Sequence, residues 1–208
     1  MKGMIIVDLD GALMKSRPFD NAHVKWFGLM ANLLNDDSVK QYAETPAYFS
    51  YVDNVMKRYL GDVDHDTRNR FARAVYSMVI IAETGKEDLF SEFAEYLKSI
   101  KDKHMIALVT TSPEDSIKAV LEKVGCGDLF DIVMSSPMGE RPDKQKLFSS
   151  FTEKYGKPEF YIGYGDEDLQ AISEKGVKTI SVSWIKKGRF RGDFDIGSVK
   201  ELSEIIKG

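Results

Sequence analysis

The chain has 208 residues, with 29 Lys and Arg against 33 Asp and Glu, for a formal net charge of −4. A hydrophobic share of 43% and a charged share of 30% suit a globular protein with a sizeable core, and the acidic balance speaks against a general nucleic-acid binder. No run of 18 apolar residues offers a membrane-spanning helix, and the opening residues lead straight into a strand pattern, unlike a secretory leader.

Residues 4–7, Met-Ile-Ile-Val, form an apolar run with β-branched members, the pattern of a short strand buried on both faces. Asp8 closes the run, Asp10 follows, and Gly11 permits a tight turn. In an open α/β sheet, chemistry gathers at the carboxyl ends of the strands, where these two acids fall. Two close carboxylates repel unless they share a cation or a proton. Mg²⁺ would relieve that conflict and leave coordination positions open for a phosphate. Asp8 is then a candidate nucleophile and Asp10 a candidate general acid and base. Asp and Gly also follow strands simply because they suit turns, so the stretch alone leaves both readings open.

From about residue 20 to 86 the pattern is helical. One segment carries Val24, Phe27, Leu29, Met30, Leu33 and Leu34 at helical spacing, and a second runs from Tyr48 to Tyr59 before Gly61. A third opens at Asp64, a good N-cap, and continues through Ile81. Beyond Gly85 strands and helices alternate. An amphipathic helix covers Leu89 to Ile100, and a strand over 105–109 runs into Thr110, Thr111 and Ser112, with Ser112 expected to cap the next helix. Cys126, the single cysteine, cannot form an internal disulfide and is compatible with a reducing cytoplasm. Further strands are expected at 130–134, 160–162 and 177–182, and helices at 144–154, from Leu169 and at 199–206. Such alternation implies right-handed crossovers and a parallel sheet.

Taken together, these segments resemble the haloacid dehalogenase-like phosphohydrolases. Val7-Asp8-Leu9-Asp10-Gly11-Ala12-Leu13 matches the first family motif, with Ala12 where Thr is usual. The apolar strand ending in Thr110-Thr111-Ser112 resembles the second, whose hydroxyl and backbone N–H groups bind phosphate. The third motif normally places Lys before Pro. Here Arg141 precedes Pro142 and Lys144 follows, so either cation is a candidate for the role. The fourth usually supplies two acids for the metal. Tyr164 stands at the first of them and Asp168 at the second, with Asp166 a possible substitute.

The resemblance implies an α/β fold, a Rossmann-like parallel sheet core of residues 1–16 and 84–208 with an inserted all-helical cap of residues 17–83. Phosphoglycolate phosphatases and β-phosphoglucomutases resemble this arrangement. It further implies a cytoplasmic, Mg²⁺-dependent phosphatase acting on a small phosphorylated metabolite, without nucleic acid or membrane as partner. Asp8 and Asp10 would be catalytic, Thr110, Thr111, Arg141 and Lys144 would bind phosphate, and Asp8, Asp10 and Asp168 would hold the metal. Ala12, Arg141 and Tyr164 depart from the family pattern, which raises a rival reading as a catalytically degenerate member that binds a ligand or partner. Arg68, Arg70 and Arg73 are candidates to contact an anionic substrate from the cap, although a solvated helix face is the favoured reading of all three.

Overall fold

A computed structural model describes residues 2–45, 48–185 and 192–206. Its six strands are β1 (Gly3–Val7), β2 (His104–Pro113), β3 (Ile132–Ser136), β4 (Phe160–Gly163), β5 (Lys178–Val182) and β6 (Phe194–Ile196). They form one sheet in the order β3-β2-β1-β4-β5-β6, every pair parallel. The chain winds outward from β1 in one direction and then, from β4, in the other. The boundary between β1 and β4 is therefore the point of topological reversal.

The two-sided burial of β1 follows from strand alternation. Ile5 and Val7 join one core with Leu97 of α4 (Ser91–Ile100), Val120 of α5 (Glu114–Val124) and Leu202 of α8 (Val199–Ile205). Met4 and Ile6 join the opposite core with Phe148 of α6 (Lys144–Tyr155) and Leu169 of α7 (Asp166–Ser173). Helices thus cover both faces, as a parallel sheet requires.

Between β1 and β2 lie α1 (Arg17–Leu34), a 3-10 segment (Asp37–Glu44), α2 (Tyr48–Leu60) and α3 (His65–Glu83), which form an inserted helical cap. It has a small core of its own, with Trp26, Phe27, Met30, Val55, Met56 and Ala72 buried together. The Trp26 indole N–H donates to Ala72 O at 3.0 Å, so its one polar atom is satisfied within that core. Among the described residues, no helix is long and apolar enough to cross a membrane.

Several local expectations change. In α1 the inward stripe is Phe19, Ala22, Trp26, Phe27 and Met30, whereas Val24, Leu29 and Leu33 are exposed. Strand β2 continues to Pro113, so Ser112 caps nothing. Its N–H donates to Thr110 Oγ1 at 3.2 Å, and α5 begins at Glu114 with Pro113 in the cap position. Strand β3 begins at Ile132, two residues later than its apolar run suggested, and α7 starts earlier, at Asp166. Strand β6 is an addition that periodicity did not reveal.

Two chain segments join cap to core, and they run side by side. Met14 bridges Leu89 antiparallel, Phe90 N–H donates to Leu13 O at 2.9 Å and Lys15 N–H to Asp88 O at 2.8 Å. The fully buried Asp88 carboxylate closes the junction. It accepts Arg17 Nε at 3.0 Å, Arg17 NH2 at 2.6 Å and the Gly85 N–H at 2.8 Å. Asp88→Ala removes these charge-assisted bonds and is expected to lower the unfolding free energy by about 2 kcal/mol. Urea titration checks this as a lower midpoint at unchanged slope, and an unaltered midpoint would refute it.

Candidate active site

The site gathers at the reversal between β1 and β4. Asp8 directly follows β1, and its backbone N–H donates to Ile162 O of β4 at 2.8 Å, which fixes the strand end. Its side chain is buried, and Oδ1 accepts the Leu9 N–H at 2.9 Å. The next turn needs Gly11 twice over. Its φ of +74° lies in the left-handed region, and a Cβ there would stand 2.8 Å from the Tyr164 ring. Ala12 is buried in the core, and its carbonyl accepts the Trp184 indole N–H at 2.9 Å.

Lys144, the first residue of α6, reaches back to the sheet. Its Nζ lies 2.7 Å from Asp8 Oδ1 and 2.9 Å from Val109 O, and 5.7 Å from the Tyr161 ring centre. Both side chains of this ion pair are only 11% exposed, so neither charge is well hydrated. Of the two cations left open by the motif, the structure brings Lys144 to Asp8 and leaves Arg141 exposed at the pocket wall. The buried Tyr161 hydroxyl has no well-formed hydrogen bond. Burial, then the charges of Asp8 and Asp168, push its pKa well above the usual tyrosine value.

A cavity of about 570 Å³ lies between the carboxyl ends of the strands and the cap. Asp8, Asp10, Thr110, Thr111, Arg141, Lys144 and Asp168 all line it, so the seven residues singled out from the sequence face one space. Thr110 is buried, with its oxygen engaged by the Ser112 N–H and its proton still able to donate. Tyr164 also lines the cavity. Asp166 does not, being exposed on the first turn of α7.

The strand ends bring the acids Asp8, Asp10 and Asp168 to the cavity, and carboxylate oxygens are the donors a hard divalent cation prefers. Among the described residues, no three His, Cys, Asp or Glu side chains group closely enough to hold a metal. This donor set fits an ion that takes much of its coordination from water and phosphate oxygens, and does not fit an all-protein cage.

The sequence pattern of the haloacid dehalogenase-like hydrolase family matches residues 5–182. The chain belongs to that family. The pyrophosphatase PpaX of Bacillus cereus is 23% identical over 86% of this chain and 94% of its own length. Two family hydrolases of known structure share the fold. One, from Streptococcus pneumoniae, superposes with a TM-score of 0.67 at 15% identity, over 99% of both chains. The other, YfnB from Bacillus subtilis, described as bound to magnesium with interdomain movement, gives 0.62 at 13% identity, over 99% of this chain and 98% of that one.

Two cap residues enter the site, His23, which the sequence did not single out for it, and Arg73, for which a solvated face was the favoured reading. The imidazole of His23 on α1 lines the cavity beside Tyr76, with ring centres 5.2 Å apart, and burial lowers its pKa to about 4. Arg73 on α3 is buried, not solvated, whereas Arg68 pairs with Asp53 at 2.7 Å and Arg70 with Asp66 at 2.6 Å. The missed signal was helical phase. Arg73 shares a stripe with Ser77 and Ile80, both buried.

His23 makes stability depend on pH. Its folded pKa of about 4 lies below the ordinary 6.5, so between these values the unfolded chain binds more protons. The contribution is therefore intact above about pH 6.5 and is lost as pH falls towards 4, by roughly 3 kcal/mol at most. In His23→Gln this acid-side slope should flatten, as chemical unfolding at a series of pH values would reveal. Parallel curves for the two proteins would refute it.

Proposed function

We propose that the pocket carries out Mg²⁺-dependent hydrolysis of a small phosphomonoester through an aspartyl-phosphate intermediate. The observation that carries this reading is the Lys144 ammonium, 2.7 Å from a buried Asp8 carboxylate at the strand reversal, facing the cavity beneath the cap. A lysine so placed orients Asp8 and offers its remaining charge to an incoming phosphoryl group. Asp8 attacks phosphorus in line with the ester oxygen. The P–O bond to the leaving group breaks as Asp10 gives that oxygen a proton. Asp10 then takes a proton from water, whose oxygen displaces the Asp8 carboxylate and releases phosphate. The Thr110 hydroxyl, the Thr111 N–H and Lys144 hold the equatorial oxygens, with Arg141 at the entrance. Mg²⁺, when bound, would neutralise charge between Asp8 and the phosphate, with the Asp8 carboxylate, the Asp10 carbonyl and Asp168 as protein ligands.

In this reading residues 1–16 and 84–208 are the catalytic core and 17–83 the cap, which excludes water and selects the leaving group. Its insertion between the first two strands supports kinship with the phosphoglycolate phosphatase and β-phosphoglucomutase branch. PpaX, by its name a pyrophosphatase, supports chemistry at phosphorus. A soluble cytoplasmic setting agrees with the single cysteine. Asp8→Asn should keep the fold and cut turnover of a phosphomonoester panel with Mg²⁺ by at least ~10³-fold. Near-normal activity in that variant would exclude the mechanism.

Tyr164 favours a second reading, a binding protein with little turnover, because a neutral phenol replaces one metal-side acid. Calorimetric titration of Mg²⁺ separates the two. Tyr164→Asp should tighten Mg²⁺ binding by about tenfold, since one more carboxylate joins the donor set. Asp166→Asn, exposed and outside the cavity lining, should leave it unchanged. Tight binding in the natural chain, indifferent to both changes, would remove the case for an impaired site.

A further inference from the structure

We infer that Arg73 recognises a second anionic group on the substrate, so that the favoured esters are small ones whose leaving group carries a carboxylate or another phosphate. This rests on the reading of the pocket as a phosphohydrolase site. The Arg73 side chain projects from α3 into the cap side of the cavity, and the residue is only 8% exposed. Its NH2 group donates to Thr111 O at 3.3 Å and Ser136 O at 3.1 Å, two neutral carbonyls at the ends of β2 and β3. Its Nε–H is buried with no acceptor. Among the described residues no carboxylate pairs with it.

That arrangement is costly for a protein alone. A guanidinium stays charged at any ordinary pH, and a buried charge without a counter-charge opposes folding. Burial lowers the Arg73 pKa, the direction expected of an uncompensated cation. Of the other cations lining the cavity, Lys144 is paired and Arg141 is exposed to solvent, so neither is buried without a counter-charge. Lys144 is committed to Asp8, Asp53 accepts Arg68, and Glu140 pairs with Lys146 at 2.6 Å. An anionic ligand group would supply what Arg73 lacks, and the planar fork suits the paired oxygens of carboxylate or phosphate. Phe19, Trp26 and Phe27 line the cavity nearby and strengthen such a contact by excluding water. A volume of about 570 Å³ leaves room for a leaving group beyond the phosphoryl site.

The test compares phenyl phosphate, whose leaving group is neutral, with 2-phosphoglycolate and pyrophosphate, which carry a carboxylate and a phosphate. The natural chain, Arg73→Met and Arg73→Lys are assayed with Mg²⁺, and the same three compounds are titrated by calorimetry into Asp8→Asn with and without Arg73→Met. The natural chain should prefer at least one anionic ester over phenyl phosphate in kcat/KM. That preference should fall by at least about tenfold in Arg73→Met, mostly through KM, and part of the way in Arg73→Lys, which keeps the charge without the fork. A uniform loss on all three compounds would overturn the inference, because Arg73 would then serve the transferring phosphoryl group or only latch the cap. Equal use of phenyl phosphate and both anionic esters by the natural chain would overturn it too. If the methionine variant does not fold, an unchanged preference in Arg73→Lys has the same force. If the natural chain hydrolyses none of the three, the phosphohydrolase reading fails by itself. Calorimetry then decides Arg73: anion-selective binding lost in the methionine variant supports it, and no selectivity refutes it.

Discussion

A carboxylate buried at the end of a strand needs a counter-charge, and Lys144 supplies one. Hydration of the pair is slight, because each side chain is 11% exposed. Loss of solvent for two such ions outweighs simple attraction unless further bonds complete the set. Here the completing bonds come from Leu9 N–H to Asp8 and from Lys144 to Val109 O. The ion pair therefore couples three separate pieces of chain: the end of β1, Val109 within β2 and the start of α6. The parallel sheet aligns these pieces, and the reversal between β1 and β4 leaves space above them. The cap roofs that space, and Tyr164 walls one side through its contact with Gly11.

The core of the fold was written locally. Apolar runs at 4–7, 105–109, 160–162 and 177–182 became central strands because each is covered on both faces, which removes the ambiguity of a half-exposed strand. Strand β6 had no such run. Phe194-Asp195-Ile196 pairs only with β5 at the sheet edge, where a three-residue strand carries no period to detect. In α1, apolar residues occur on more than one side, and spacing alone cannot tell which stripe meets the core. Ser112 looked like a cap because hydroxyls usually stop strands and start helices. Strand pairing of Pro113 with Ser136 carried the extended backbone past it.

The site divides along the same line. Asp8, Asp10 and Gly11 belong to one turn, so their proximity follows from adjacency. The choice between Arg141 and Lys144 depends on tertiary geometry. Arg141 precedes Pro142 in an exposed loop, while Lys144 begins a helix whose N-cap, Asp143, accepts the Lys146 N–H at 2.9 Å and sets the helix start against the sheet. Arg73 was hidden for a different reason. Its charge suggested solvent, and only the phase of its helix placed it with Ser77 and Ile80.

The pairing of the two cap linkers sets how the roof can move. Single strands of chain swivel in any direction, but two segments bonded edge to edge behave as a ribbon, compliant to bending across its plane and stiff to shear and to twist within it. Phe90 is tied to Leu13, and Lys15 to Asp88, so a cap carried on this ribbon would swing about one axis. Arg73, on the helix that ends at this ribbon, would then trace a single arc towards and away from the strand ends. A joint of this kind would return it to the same carbonyls, those of Thr111 and Ser136, at each closure.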